Sequence, residues 1–138
     1  MSENRFDTPQ EAEAAFYAAF IKRDVNAMME VWAADENISC IHPLGQILIG
    51  RTAVRDSWEE IFRHSPEMQI MINGRSRGQD ESFAIHVVEE HIRAGNEPPG
   101  TPMHVTNVYH LTDQGWRMVL HHASPAPPPP KSDTPTLH

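Results

Sequence analysis

The sequence predicts an α+β fold in which three N-terminal helices pack on a curved, mainly antiparallel sheet. Apolar residues recur at helical spacing in the first half of the chain, up to about residue 64. Beyond Pro66 the pattern changes to extended segments separated by turns. A curved sheet with a helix across it encloses a cone-shaped hollow, which is a natural pocket for a small molecule.

Three segments have the spacing of amphipathic helices. The first starts at Thr8, a capping residue followed by proline, and extends to about 22–23. Asp24 caps a second, shorter helix over 25–34. The third extends over about 52–64, and its apolar stripe includes a tryptophan.

The extended segments begin with a short strand that ends at a histidine. Proline follows that histidine and stops the strand, because proline has no amide hydrogen to donate to a sheet. Residues Thr112 to Gly115 read as the turn of a hairpin. The predicted extended segments are 38–42, 46–50, 68–77, 83–93, 103–111 and 116–123.

Composition restricts the class of protein. The chain has 138 residues, a net charge of −8 and one cysteine. The negative charge disfavours nucleic acid and anionic membrane surfaces as partners. No apolar run is long enough to span a membrane, and the N-terminus does not resemble a signal peptide. We therefore expect a cytoplasmic protein without an internal disulfide.

The predicted domain organisation is simple. Residues 1–7 form an N-terminal arm, 8–124 form one domain, and 125–138 form a proline-rich tail. The tail has too few apolar side chains to form a core, so we expect it to be disordered. A proline-reading partner domain is a weaker interpretation of the same segment.

His42 is the first candidate for chemistry. It ends a strand before Pro43 and shares one strand face with Cys40 and Ile38. If that face is inward, burial in an apolar cavity keeps the imidazole neutral and able to accept a proton. The alternative is a histidine that only hydrogen-bonds a neighbour in the pocket wall.

Asn107 is the second candidate. It alternates with Val105 and Tyr109 on one face of a strand, so a polar amide lies among apolar residues. Such an amide needs a partner in the protein, in water or in a ligand. The alternative is that Asn107 braces the loop after Pro43.

The last strand supplies the third candidate. We take Arg117 to mark the outer face, which directs His122 inward and His121 outward. Adjacent strand residues point to opposite faces, so this pair cannot share one ion, and we predict neither a metal nor a cofactor. The phase of Glu89 and Glu90 stays undetermined. The predicted pocket lining is Phe16, Phe20, Cys40, Trp58, Met103, Tyr109, Trp116, Met118 and Leu120.

The order of these segments resembles the NTF2-like superfamily, and within it the SnoaL-like and ketosteroid-isomerase-like proteins. The resemblance covers about residues 8–125 and implies an NTF2-like cone that forms a homodimer through the outer sheet face. It rests on FYAAFIKRD at 16–24, MEVWAADENISCIHPLGQILIG at 29–50, AVRDSWEEIF at 53–62, HVTNVYHL at 104–111 and GWRMVLHHASP at 115–125.

The resemblance also implies roles. Ketosteroid isomerases have a general-base aspartate followed by proline, and His42 occupies the similar position here. Their first-helix tyrosine, an oxyanion donor, corresponds to Phe16, with Tyr17 about 100° round the helix. Their second donor, a protonated aspartate, corresponds to Asn107.

Two functions remain open. In the first, a small apolar or cyclic molecule undergoes proton transfer next to a carbonyl, as in isomerisation, cyclisation or dehydration. His42 is then the acid or base, and Asn107 and His122 bind an oxygen. In the second, the domain binds a ligand without chemistry or serves as a dimerising scaffold.

Overall fold

Three helices and six strands build the domain, and the predicted α+β class is confirmed. The structure, a computed structural model, describes residues 5–128. The strands form one sheet in the order β2-β1-β6-β5-β4-β3. All neighbouring pairs are antiparallel except β1 with β6. The elements are α1 Pro9–Lys22, α2 Val25–Val31, β1 Ser39–Ile41, β2 Leu48–Ile49, α3 Arg51–His64, β3 Met68–Gln79, β4 Phe83–Ala94, β5 Met103–Thr112 and β6 Gly115–Pro125.

The helix starts follow the predicted caps. The Thr8 hydroxyl accepts the Glu11 N–H at 3.1 Å, and the Asp24 carboxylate accepts the Ala27 N–H at 3.0 Å. The end of α2 differs from the prediction, since the helix stops at Val31 rather than near residue 34. Trp32 is extended there and forms an isolated bridge with β6, so sheet pairing replaces the last helical turn.

Two register shifts distort the long strands. One lies in β3 between Gly74 and Ser76, and the other lies opposite Val108 and Tyr109, where Val119 is the additional residue of β6. Bulges of this kind bend a strand and increase its twist. The bulge in β6 also reverses which side chains face inward beyond it.

The core lies between the helices and the inner face of the sheet. Phe16 and Phe20 of α1 meet Trp58 of α3 edge-on, with ring centroids 5.6 and 5.0 Å apart. Phe62 extends the cluster at 5.5 Å from Trp58. These rings fix how the two long helices lie across the sheet.

The described parts of the predicted N-terminal arm and C-terminal tail both contact the domain. The Trp116 N–H donates to the Phe6 carbonyl at 2.8 Å, and the Arg117 guanidinium lies 4.8 Å from the Phe6 ring centroid. At the other end Pro125 still belongs to β6. Residues 1–4 of the predicted arm and 129–138 of the predicted tail lie outside the described residues.

Within residues 5–128 there is no helix long and apolar enough to cross a membrane. The longest helices, α1 and α3, have 14 residues each. Both carry charged side chains on the face turned away from the sheet.

Candidate functional site

A cavity of about 230 Å³ opens between α1, α3 and the inner face of the sheet. Most of its wall is apolar, and the polar groups in it come from four separate elements. The lining residues are Phe20, His42, Pro43, Trp58, Ile61, Ser65, Met68, Glu90, Ile92, Met103, His121 and Ala123.

His42 lies directly after β1, where the Gly45 N–H donates to the His42 carbonyl at 2.8 Å and closes a turn. Its Nε2 lies 2.9 Å from the Ser57 Oγ of α3. The Ser57 hydroxyl donates to the Val54 carbonyl at 2.7 Å. Since that proton is already used, Ser57 accepts from His42, and the His42 proton is on Nε2.

The other ring nitrogen of His42, Nδ1, makes no hydrogen bond to any described residue. The Trp58 ring packs edge-on against the imidazole at 4.8 Å between centroids. Burial lowers the pKa of His42 to about 4, because desolvation disfavours the charged ring. His42 is therefore neutral at pH 7, with an unshared electron pair on Nδ1.

A chain of four hydrogen-bonded side chains crosses the inner face beside the cavity. His121 Nδ1 lies 2.6 Å from Asn107 Oδ1, and Asn107 Nδ2 donates to the Tyr17 hydroxyl at 3.1 Å. The Tyr17 hydroxyl in turn donates to Glu90 Oε2 at 2.7 Å. The chain joins β6, β5, α1 and β4, and its two ends, His121 and Glu90, both line the cavity.

Burial shifts the titration of both ends of this chain. Desolvation raises the pKa of Glu90 to about 7, against the smaller opposite effect of the Tyr17 hydrogen bond. Desolvation, with help from the nearby His42 and His122, lowers the pKa of His121 to about 3. Desolvation also raises the pKa of Tyr17. A carboxyl group that titrates near neutral pH thus faces two neutral imidazoles.

The prediction that His122 faces inward is wrong, and so is the prediction for Leu120. The bulge at Val119 shifts the register, so that Leu120 pairs with Val108 and His122 with Thr106, whose side chains are on the outer face. His122 is exposed, whereas His121 is 2% exposed and lines the cavity. The second histidine of the site is therefore His121.

Asn107 is buried between Val105 and Tyr109, as predicted from the alternation of β5. Both ends of its amide are hydrogen-bonded to other side chains, and it is not among the lining residues. It therefore connects Tyr17 to His121 and does not brace the loop after Pro43. Asn107 thus lies behind the cavity wall, with both polar atoms of its amide bonded to other side chains.

The helix-one hydroxyl is present, but one residue later than the resemblance implied. Phe16 is a core ring 5.0 Å from the His121 ring, while Tyr17 beside it turns its hydroxyl to the buried chain. Both side chains are buried because α1 packs against the sheet over a wide face. A stripe defined by apolar residues alone does not include Tyr17.

The predicted lining residues fall into two groups. Phe20, Trp58 and Met103 line the cavity. The others lie in the core or on the sheet without lining it; Cys40, for example, is a buried thiol whose sulfur is 3.5 Å from His42 Nε2. Burial raises the pKa of that thiol to about 12. The residues predicted to line the cavity and found elsewhere are Phe16, Cys40, Tyr109, Trp116, Met118 and Leu120.

Sequence reasoning did not identify Ser57, left the phase of Glu90 open and named Tyr17 only as the neighbour of Phe16. Ser57 carried a usable signal, since it directly precedes Trp58, a predicted lining residue, on the third helix. Glu90 carried none, because both faces of β4 contain apolar and polar residues. In the described part of the chain, no cluster of three or more His, Cys, Asp or Glu side chains is arranged to hold a metal ion.

The comparisons with known proteins agree with this architecture. The family model described as a SnoaL-like domain matches residues 10–128. A solved structure from Thiobacillus denitrificans, provisionally named a calcium/calmodulin-dependent protein kinase type II association domain, is 41% identical with a TM-score of 0.87. That match covers 91% of this chain and 100% of the other. A Streptomyces avermitilis structure, provisionally named a dehydratase from the NTF2-like family, is 28% identical with a TM-score of 0.79, over 87% of this chain and 94% of the other.

Among curated proteins, the F-box protein SKIP8 of Arabidopsis thaliana is 26% identical over 118 residues. The match covers 79% of this chain and 46% of that protein, so the chain spans less than half the length of this relative. A ketosteroid isomerase-like protein from Erwinia carotovora, 13% identical with a TM-score of 0.72 over 86% of this chain and 94% of the other, shares the fold. With its family model matched over residues 10–128 and NTF2-like structures superposing along nearly the whole domain, this chain belongs to the SnoaL-like domain family of NTF2-like proteins.

Proposed function

We propose that the cavity binds a small, uncharged cyclic molecule and that His42 transfers a proton next to its carbonyl group. The observation that carries this proposal is the His42 imidazole itself. It lies in an apolar wall, its Nε2–H is held by Ser57, and its Nδ1 has no partner among the described residues. This is the arrangement of a base that is positioned before a substrate arrives.

The step begins when His42 Nδ1 removes a proton from the carbon next to the carbonyl. The electron pair of the broken C–H bond forms the C=C bond of an enolate, the carbonyl oxygen takes the negative charge, and the proton stays on His42. Return of the proton from His42 to another carbon completes an isomerisation, and loss of a β-substituent completes an elimination. Burial of the imidazole keeps it unprotonated at pH 7, which the first step requires.

Hydrogen–deuterium exchange tests this proposal without knowledge of the natural substrate. We would incubate the protein in D₂O with uncharged cyclic ketones, such as 2-tetralone and cyclohex-2-enone, and follow loss of the α-proton signals by NMR. His42→Ala should lower the exchange rate by about 100-fold or more. The matched control is His122→Ala, since His122 is an exposed histidine on the other face of the sheet.

The pH dependence gives a second measurement. Because the pKa of His42 lies at about 4, the exchange rate should rise as pH increases through about 4, and any second change near pH 7 reports the ionisation of Glu90 in the same cavity. The titratable groups beside the His42 ring are Cys40 and His121, and Glu90 lines the same cavity. Equal exchange rates for wild type and His42→Ala would contradict the proposal.

The alternative role, a dimerising or ligand-binding scaffold, is favoured by a different observation. The outer face of β4 exposes three large apolar side chains: Phe83 is 46% exposed, Ile85 51% and Val87 37%. Val108 and Leu120 pair alongside them on β5 and β6. A contiguous apolar patch of this kind is typical of a surface that another protein covers.

We propose that a second copy of this chain covers this patch and forms a homodimer. The relative from Thiobacillus denitrificans, 41% identical, is provisionally named an association domain, which supports self-assembly here. Ile85→Glu should convert the dimer into a monomer in sedimentation velocity, because a charge in the centre of the patch must be desolvated. Ile47→Glu, an equal change at a loop isoleucine that is 66% exposed, should leave the dimer intact. A monomeric wild type would contradict the proposal.

A further inference from the structure

We infer that the cavity recognises an uncharged ligand through a hydroxyl group that donates a hydrogen bond to Nε2 of His121. The buried chain formed by Glu90, Tyr17 and Asn107 sets this preference by fixing where the His121 proton lies. The inference concerns the same cavity as the proposed function and rests on it, but it addresses which ligands bind rather than what happens to them.

Asn107 defines the direction in which the hydrogen bonds of the chain run from donor to acceptor. The amide nitrogen of Asn107 can only donate, and it lies 3.1 Å from the Tyr17 oxygen. The Tyr17 hydroxyl then uses its own proton on Glu90 Oε2, which lies 2.7 Å away. The amide oxygen of Asn107 is thereby left for His121, and an amide oxygen can only accept.

The proton of His121 follows from this direction. Its Nδ1 lies 2.6 Å from Asn107 Oδ1, so Nδ1 carries the hydrogen and donates it. The ring is neutral, because burial lowers the pKa of His121 to about 3. Nε2 therefore has an unshared electron pair, and it has no partner among the described residues. The His121 ring lines the cavity, so Nε2 is the nitrogen left to meet a ligand.

His42, the other histidine of the cavity wall, also has an unprotonated ring nitrogen that can accept a hydrogen bond. Ser57 holds the Nε2–H of His42, which leaves Nδ1 as an acceptor. Two imidazoles in one wall thus present acceptors, and a ligand must supply the donors. A ligand group that only accepts, such as an ether oxygen, leaves these nitrogens without a partner and loses the hydrogen bond.

The charge of the lining residues and the volume of the cavity restrict the class of ligand further. Within the described cavity lining there is no lysine or arginine to pair with a carboxylate or phosphate. Glu90, which titrates near neutral pH, would also repel an anion. The volume of about 230 Å³ is below the roughly 300–1,000 Å³ of pockets for drug-sized ligands. The fitting class is a small, neutral, hydroxylated ring compound.

The first test measures the His121 tautomer directly. The full chain, labelled with ¹⁵N in its histidines, would be studied at pH 7 by long-range ¹H–¹⁵N correlation. The resonance that disappears in His121→Gln identifies the ring, with His122→Gln as the control at the adjacent, outward-facing histidine. We expect protonated Nδ1 and unprotonated Nε2. The opposite tautomer would overturn the inference, because Nε2 would then be a donor.

The second test compares three probes with one ring system. We would measure binding of 2-naphthol, 2-methoxynaphthalene and 2-naphthoate by calorimetry. The naphthol should bind about tenfold more tightly than its methyl ether, since only the naphthol donates a hydrogen bond. The naphthoate should bind more weakly than either. His121→Gln should reduce the preference for the naphthol, and His122→Gln should retain it.

The outcomes separate this inference from the proposed catalysis. Equal affinity for naphthol and ether, or the tightest binding for naphthoate, would overturn the hydroxyl recognition even if His42 catalyses exchange. Absence of binding by all three probes would overturn it as well. Discrimination between the probes without any His42-dependent exchange would support the recognition and contradict the proton transfer.

Discussion

Each face of the sheet carries side chains that are unusual for their position. The inner face, which packs against the helices, buries four polar side chains: His86, Glu90, Asn107 and His121 are at most 2% exposed. The outer face exposes large apolar side chains instead. Burial of a polar group is costly unless it is hydrogen-bonded, so the inner face needs an explanation that packing alone does not supply.

Strand β4 shows the contrast within one element. Ile85 and Val87 point outward and are exposed, whereas His86 and Glu90 point inward and are buried. Both buried groups have partners on α1: His86 Nδ1 lies 3.0 Å from a Glu13 carboxylate oxygen, and Glu90 accepts from a tyrosine hydroxyl. The helix therefore satisfies the polar face that it covers.

The difference between the two faces matches the two functions that we propose, ligand binding on the inner face and self-association on the outer face. The polar groups that line the cavity belong to the proposed site, and the exposed apolar groups belong to the proposed dimer surface. The proposed site and the proposed dimer surface are thus the two faces of the same strands. Variants at neighbouring positions on opposite faces are the sharpest way to test this contrast.

The largest difference is expected between a carboxylate placed on the inner face and one placed on the outer face. Val88 is 1% exposed on the inner face, and Val87 is 37% exposed on the outer face. Val88→Glu should lower the free energy of unfolding by about 4 kcal/mol or more, because a charge without a partner is buried. Val87→Glu should stay folded as a monomer, and the free energy of unfolding of the single chain should change by about 1 kcal/mol or less.

Urea denaturation followed by circular dichroism would measure both variants. Val88→Thr, which adds a polar atom without a charge, is the control that separates charge from shape. Equal losses of stability for Val87→Glu and Val88→Glu would contradict the assignment of Val88 to a buried face and of Val87 to an exposed face.

The general fold was accessible to sequence reasoning because it depends on periodicity and on local caps. The capping groups of Thr8 and Asp24 mark both helix starts within one turn of chain, and apolar spacing identifies α1 and α3. The hairpin turn between β5 and β6 is likewise local. His42 was found for the same reason, since Pro43 ends its strand at a readable position.

The site was less accessible because it depends on long-range register. One additional residue, Val119, exchanges the inward and outward positions that follow it in β6, and nothing in the local sequence distinguishes it from its neighbours. The phase of β4 was ambiguous because both of its faces carry apolar and polar residues. The partners of the buried chain are 14 to 90 residues apart in sequence, so their pairing required the folded arrangement.

The next largest effect concerns the pH dependence of stability at two adjacent glutamates. Burial raises the pKa of Glu90 from its ordinary value of 4.5 to about 7. The folded state therefore holds this proton more tightly than the unfolded state does. The stabilisation is complete below pH 4.5 and is lost as pH rises from 4.5 to 7, by about 3 kcal/mol in total.

Glu89 on the outer face should show the opposite sign. The nearby His91, which lies 2.8 Å from its carboxylate, lowers the pKa of Glu89. Its contribution is therefore present above pH 4.5 and is lost as pH falls below that value. Urea denaturation of Glu90→Gln and Glu89→Gln between pH 3 and 8, each relative to wild type, would measure both trends. Trends of the same sign would contradict the assignment of the two residues to opposite environments.

The smallest of these effects tests the buried chain by removal of a single hydroxyl. Tyr17→Phe leaves Glu90 Oε2 and Asn107 Nδ2 without their partner, which should lower the free energy of unfolding by about 2 kcal/mol. Tyr109→Phe is the matched control on the same face. The Tyr109 hydroxyl is buried without a hydrogen-bond partner in residues 5–128, so its removal should be neutral or stabilising. Thermal and urea unfolding would measure both, and a Tyr109→Phe loss as large as that of Tyr17→Phe would mean that shape, rather than the hydrogen-bonded chain, holds the inner face together.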